Sequence, residues 1–398
     1  MELSKRVQRI RPSSTLAIAA KASELKEEGK DVVSFSAGEP DFPTPEHICR
    51  AAIDAIHHGD THYTAAAGLL ELRQAVCKKL EKDNHLHYTP DQIVVSNGAK
   101  HSLNNIFLSI LNDGDEVLIP SPYWLSYSVM AEIAGGKAVL VPTTKENGFM
   151  LTREALDKAW TPKAKALVLT SPSNPTGMIA SQEVLEMVAE FAVEKDLYVI
   201  SDEIYENLIY QQDKQHISIA SLNPEIFRRT IVVNGVSKSY AMTGWRIGYT
   251  ACEPALAKAM GSLQSHMTSA PNTIAQRAAI AALDDDQSCV EEMRLEFEKR
   301  RDYIFAREEA MPYVSALKPE GAFYLFMDVS GTYGKKFDGE EITSAADFGR
   351  LLLEKKLVAL VPCADFGMPD YVRLSYATGM QTIQKGMDRI EAFLNELQ

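Results

Sequence analysis

Short apolar runs recur between residues 117 and 250, at Val117–Ile119, Ala138–Val141, Ala166–Leu169, Leu197–Ile200, Ile231–Val233 and Ile247–Thr250. Each is too short to be a helix and is built mostly of aliphatic and β-branched residues, which suits a buried strand. From about residue 46 onward helical patterns alternate with strands. Leu69, Leu72, Val76 and Leu80 share one helical face, and so do Leu103, Ile106, Phe107 and Ile110. Strands without a polar face must be covered on both sides. The alternation therefore predicts an α/β fold, a mainly parallel sheet with helices on both faces.

A chain of 398 residues exceeds what one compact core usually holds, so two domains are expected. The pattern changes after about residue 285. A long charged helix, roughly Ser288 to Ala310, leads to short strands near Phe323–Met327 and Val358–Val361, and a last helix runs to the C-terminus. This reads as a smaller α+β lobe. Residues 1–45 read as an extended arm with turns, ending where Thr44 caps a helix and Pro45 takes its first position. The expected division is an arm over 1–45 that joins the small domain, a large domain over 46–287, and the rest of the small domain over 288–398.

The net charge of −13 argues against nucleic acid as a main partner. No apolar stretch approaches a membrane span. The N-terminus lacks the apolar run of a secretory signal, and the five cysteines are dispersed without CxxC spacing, so reduced thiols in the cytoplasm are expected. His57, His58, His85 and His87 have no acidic or cysteine companions at ligand spacing, and no metal site is expected.

Four segments carry candidate chemistry. Lys238 and Arg246 lie eight residues apart among small residues in the run from Asn234 to Tyr249. A lysine that can become neutral attacks carbonyls, and a guanidinium suits a phosphate. Asp202 follows the strand Leu197–Ile200 at its carboxyl end, where open α/β sheets hold ligands. Asn174 lies in the Pro- and Gly-bearing turn Ser171–Gly177. Asn97-Gly98-Ala99-Lys100 leads from a strand into a helix, and free N–H groups at a helix start bind phosphate. Taken singly, each has an ordinary reading as a surface loop, a capping aspartate or a plain turn.

Together the segments resemble the class I aminotransferases of the pyridoxal-phosphate fold-type I family. The pattern Gly235-x-Ser-Lys238-x-x-Ala-Met-x-Gly-x-Arg246-Ile-Gly matches the family's lysine signature, and the likeness runs to Arg373. Within the family the chain is similar to the aspartate aminotransferases of subgroup 1b. The resemblance implies a seven-stranded, mainly parallel sheet in the large domain, and pyridoxal 5'-phosphate as cofactor. Lys238 would carry the cofactor and shuttle a proton. Asp202 would pair with the ring nitrogen, Asn174 and Tyr205 with the phenolic oxygen, and Trp124 would stack on the ring. Gly98, Ala99, Lys100, Ser237 and Arg246 would surround the phosphate. Tyr63 would reach it from the neighbouring subunit of a homodimer. One detail departs from many relatives: Gly235 stands where they carry a serine, so one phosphate hydroxyl is missing.

For the substrate, the resemblance implies that Arg373 binds the α-carboxylate near Gly38, with Trp124 and Asn174 beside it. The stretch from Ser262 to Gln276 contains no arginine to take a second carboxylate, but Lys100 and Thr15 match the subgroup 1b pair that does so. The implied activity is aspartate:2-oxoglutarate amino transfer by a ping-pong mechanism. Prephenate or aromatic amino-acid transfer is the alternative, with the position of Arg11 linked to prephenate. A lyase on the same cofactor and a non-catalytic regulator are further alternatives. The regulators usually carry an added DNA-binding domain, which this chain leaves no room for.

Overall fold

The computed structural model of the protein describes residues 2–4, 7, 8, 10, 14–210 and 215–398. Arg11 lies outside the described residues.

Seven strands form the large sheet: β1 (Ile93–Ser96), β2 (Glu116–Ser121), β3 (Lys137–Pro142), β4 (Ala164–Thr170), β5 (Tyr198–Asp202), β6 (Thr230–Gly235) and β7 (Gly248–Ala251). Their spatial order is β1-β7-β6-β5-β4-β2-β3. All neighbours are parallel except at β7, which runs antiparallel to both β1 and β6. Successive residues of one strand serve opposite faces. In β4, Ala166 and Val168 pack with Leu103, Ile106 and Phe107 of the helix Ala99–Ile110. Leu167 and Leu169 pack on the other face with Leu185, Val188 and Phe191 of the helix Gln182–Glu194. This two-sided burial is why the strands read as continuous apolar runs.

A four-stranded antiparallel sheet builds the second unit, in the order Val361–Pro362, Tyr371–Ser375, Tyr324–Asp328, Ser315–Ala316. The helices Ser288–Glu309, Ala345–Lys356 and Met380–Asn395 pack on it through Phe297, Phe348 and Phe393. The N-terminal residues join this unit. Val33–Ser34 pairs in parallel with Val358–Ala359, and the Ser375 N–H donates to the Phe35 carbonyl at 2.8 Å. Gly386 leaves room for the Phe35 ring, since a Cβ there would lie 2.4 Å from it.

Three local expectations are corrected. The first 45 residues are not simply extended: Ser14–Glu27 is a helix. Its alanines favour helix, but only Ala22 and Leu25 are buried, so no apolar stripe announces it. The run Val358–Val361 is not one strand. Val358–Ala359 pairs with the N-terminal residues, and Val361–Pro362 pairs with Arg373 and Val372. Thr44 does not cap the helix Glu46–His57. Its hydroxyl donates to the Ala241 carbonyl at 2.8 Å and accepts from Trp245 Nε1 at 2.9 Å, tying the arm to the loop after β6. Among the described residues, no helix is long and apolar enough to cross a membrane.

Candidate active site

The strand register brings the site together. Thr170 at the end of β4 lies beside Asp202 at the end of β5, and Asp202 lies beside Val233 of β6. The loops leaving these carboxyl ends carry Asn174, Tyr205 and Lys238. They border one cleft of about 590 Å³, which Gly38, Ala99, Lys100, Trp124, Ser237, Arg246, Arg373 and Thr15 also line.

Asp202 is buried. Tyr127 Oη donates to its Oδ2 at 2.6 Å, and the Ile204 N–H donates to Oδ1 at 3.3 Å. Burial pushes the Asp202 carboxyl up to about 6, while these two donors pull it down. At neutral pH it stays mostly ionised, as an acceptor of a protonated ring nitrogen must be. Tyr127 also shares a 2.8 Å hydrogen bond with Thr170 Oγ1, and Trp124 meets the Tyr127 ring edge-on at 5.3 Å.

Lys238 follows β6 in a tight turn. Its Nζ donates to the Gly38 carbonyl at 2.6 Å. Burial pushes the amine down to about 8; nearby Arg373 and Arg246 push the same way, and Glu39 opposes them. Tyr205 Oη pairs with Tyr324 Oη at 2.8 Å, within the same wall.

Arg373 is buried in the strand Tyr371–Ser375. Its guanidinium lies over the rings of Tyr324 (4.4 Å) and Phe366 (5.3 Å). Nη1 donates to Asn174 Oδ1 at 3.0 Å and Nη2 to the Ser36 carbonyl at 3.4 Å, whereas Nε has no partner. No acidic side chain among the described residues forms an ion pair with it. Arg373 is therefore not half of a surface ion pair, the commonest place for an arginine. A buried cation without a counter-ion is costly to keep, and its open side suits a carboxylate.

At the other end, Gly98 adopts φ +85° before the helix Ala99–Ile110. A Cβ there would come 2.3 Å from Arg246 Nη2, so glycine is what lets the guanidinium lie across the helix start. Arg246 itself has φ +59° and donates to the carbonyls of Thr243 (2.8 Å) and Asn97 (3.3 Å). The first N–H groups of a helix have no partner within it. Together with Ser237 and Arg246 they form a cradle that fits a phosphate dianion, and the adjacent amine and carboxylate fit the rest of pyridoxal phosphate. Lys100 Nζ lies 4.8 Å from the Trp124 ring centroid, and burial, with Arg246, lowers its pKa.

One residue stands apart. Tyr63 is 92% exposed and lines no part of this cleft. Other site contacts escape a reading by motif. Tyr127, Thr170, Tyr324, Ser36 and Glu39 all touch the predicted residues or line the cleft. Tyr127 had a signal, its place one helical turn after Trp124. Tyr324 had none, because its partner Tyr205 lies 119 residues away.

Among the described residues, Glu203, Glu206 and His216 approach one another closely enough to suggest a metal. The chain already answers their charge. Lys79 pairs with Glu206, and His216 Nε2 lies 3.1 Å from Glu203, which also accepts from Ser201 and Ser218.

The family model for aminotransferase class I and II matches residues 30–390. The aspartate aminotransferase of Bacillus sp. (strain YM-2) is 46% identical over 392 residues, which is 98% of this chain and 99% of that protein. The probable aspartate/prephenate aminotransferase of Aquifex aeolicus (strain VF5) is 46% identical over 397 residues, 99% of each. The crystal structure of the aspartate aminotransferase from Rhizobium meliloti superposes with a TM-score of 0.97 at 41% identity, over 100% of both chains. A family whose lysine signature, fold and full length all coincide with these leaves one assignment: the chain belongs to the class I and II aminotransferases and is an aminotransferase.

Proposed function

We propose that the chain is an aspartate:2-oxoglutarate aminotransferase that uses pyridoxal 5'-phosphate. The observation that carries this reading is the buried Arg373, without a carboxylate partner among the described residues, opening onto the cleft that holds Lys238. An amino-acid substrate brings the missing anion. When bound, pyridoxal phosphate supplies the sink for the electron pair left when the substrate's Cα loses its proton.

The chain's residues do the rest. Lys238 would hold the cofactor at rest and, once freed, would take up and return the proton of the substrate's Cα; an amine titrating near 8 can serve as base and acid. Asp202 accepts the hydrogen bond of the ring nitrogen and keeps it protonated. Asn174 and Tyr205 hold the phenolic oxygen, and Trp124 covers the ring face. The cradle of Gly98, Ala99, Lys100, Ser237 and Arg246 holds the phosphate, and Tyr63 of a second copy completes it in a homodimer. Arg373 grips the α-carboxylate as a two-pronged fork beside Gly38. Because amino donor and oxo-acid acceptor share that carboxylate, both half-reactions use the same grip.

The aspartate assignment rests on Lys100 and Thr15, which line the same cleft as Arg373 and suit a second carboxylate. Relatives named for aspartate support it. Prephenate is the second reading, favoured by a relative named for both substrates; it too carries two carboxylates.

The test compares Lys100→Ala with Arg373→Ala across a panel of amino donors in single half-reactions. A charge-assisted hydrogen bond is worth about 1.5–3 kcal/mol, so Lys100→Ala should lower kcat/KM for aspartate roughly tenfold to hundredfold and spare alanine. Arg373→Ala should damage both donors. Equal loss for aspartate and alanine in Lys100→Ala would remove the dicarboxylate reading. An unaltered protein preferring aromatic donors to aspartate and glutamate would replace it.

A further inference from the structure

Tyr63 lies in an irregular stretch between the helices Glu46–His57 and Leu70–Asn84, with its side chain in solvent. An exposed aromatic on such a stretch usually has backbone freedom to match. Here the backbone is held from beneath at His62, Ala66, Ala67 and Leu69. Gln276 is fully buried, and its amide is bonded at both ends: Oε1 accepts the Leu69 N–H at 2.7 Å, and Nε2 donates to Thr64 Oγ1 at 3.2 Å and to the Pro271 carbonyl at 2.9 Å. Gln264, also fully buried, donates to the Ala66 carbonyl at 2.5 Å and the Val95 carbonyl at 2.8 Å, and accepts from Ser96 and Asn105. Thr273 Oγ1 donates to the His62 carbonyl at 2.7 Å, and the Val95 N–H donates to the Ala67 carbonyl at 3.0 Å. Gly68, at φ +95°, brings the backbone against β1: a Cβ there would lie 2.8 Å from Val95 and 3.0 Å from Gln276 Oε1.

A buried amide bonded at both its oxygen and its nitrogen fixes geometry, and the cost of leaving its partners unpaired resists any shift. Two such amides beneath one loop serve no group inside the cleft of their own chain. They hold the segment from which the side chain of Tyr63 projects into solvent.

We infer that Gln276 and Gln264 are positioning residues that pre-set Tyr63 for the phosphate site of a second copy of this chain. The inference rests on the proposed role of Tyr63 at that site. Ordering an exposed loop on binding costs free energy, and a loop already ordered spares it. Gln276 therefore acts on a cofactor site to which it does not belong, through the Thr64 and Leu69 contacts that flank the tyrosine.

The test uses mixed dimers of full-length chains with different affinity tags. One chain carries Lys238→Ala, so the yellow absorbance that requires Lys238 reports only the other chain's site. Cofactor affinity is read by absorbance titration. When Gln276→Leu shares a chain with Lys238→Ala, the reporting site receives its Tyr63 from the altered loop. Its affinity should fall about tenfold, the scale of one charge-assisted hydrogen bond. When Gln276→Leu lies in the reporting chain, the incoming Tyr63 is unaltered, and affinity should stay within about twofold. Equal weakening in both arrangements marks a general structural role and overturns the inference. Tyr63→Phe, placed in the same two arrangements, separates the layers. No effect from Tyr63→Phe in either arrangement overturns the role of Tyr63 and the inference with it. An effect of Tyr63→Phe across the dimer, with none from Gln276→Leu, overturns the role of the glutamine alone. Thr273→Val removes only the bond to His62 and should reproduce the same asymmetry at smaller size. It carries the comparison if Gln276→Leu does not fold.

Discussion

Lys238 has its protonation set by where it is buried. At pH 7.5 an ordinary lysine, near 10.5, is neutral for about one molecule in a thousand; one near 8 is neutral for about a quarter. Only the neutral amine attacks a carbonyl. The shift is thus worth a few hundredfold in reactive lysine before any other contact matters. It follows that protein stripped of cofactor should take up pyridoxal phosphate faster as pH rises, with a midpoint near 8 and a plateau above it. Stopped-flow absorbance across pH 6.5 to 9.5 checks this. A rate still climbing steeply at the top of that range would show that burial, with Arg373 and Arg246 nearby, does not control the amine.

At the scale of elements, the helix Ser288–Glu309 carries an unusual burden. Glu308 is buried in its last turn, and its Oε1 has no partner. Burial pushes its carboxyl up to about 7; Lys145 opposes, and neighbouring Glu309 adds to the rise. The negative end of the helix dipole is also a poor place for a carboxylate. The folded-state pKa lies above the unfolded one, near 4.5, so the folded state holds the extra proton. This contribution to stability is fully present below pH 4.5 and is lost as pH rises through 7. Glu308→Gln should therefore leave stability nearly unchanged at pH 4 and raise it by about 1–2 kcal/mol at pH 8. Thermal melts at the two pH values decide it, and an equal effect at both would mean that charge is not the cause. The elements differ in how legible they are in sequence. β4 and β5 stand out because both of their faces are buried, which leaves no polar interruption. The helix Ser14–Glu27 is hidden because it buries so little. Thr44 is misread because its local signal is that of a cap, while its real partners, Ala241 and Trp245, lie some 200 residues on. In the same way, motifs bring Lys238, Asp202 and Arg373 to notice, but Tyr324 and Tyr127 enter the site only through register and packing.

For the molecule as a whole, a chain of net charge −13 gathers Lys100, Lys238, Arg246 and Arg373 around one cleft. Such a focus of positive potential draws small dianions into a protein that repels them elsewhere. The exposed Tyr63 on its braced loop calls for a partner surface. Sedimentation should give a particle of twice the 44.0 kDa chain mass, and dilution to monomers should release cofactor. A monomer that keeps full cofactor affinity would refute the shared site. The pairing of Val33–Ser34 with Val358–Ala359 reaches beyond the finished structure, to the order in which the chain is made. A ribosome delivers the first of these strands more than three hundred residues before the second. The large sheet is complete once Ala251 has emerged and can close while synthesis continues. Val33 and Phe35, apolar and destined for full burial, must wait for Val358 and Ala359 to emerge, so these early residues are among the last to find their place.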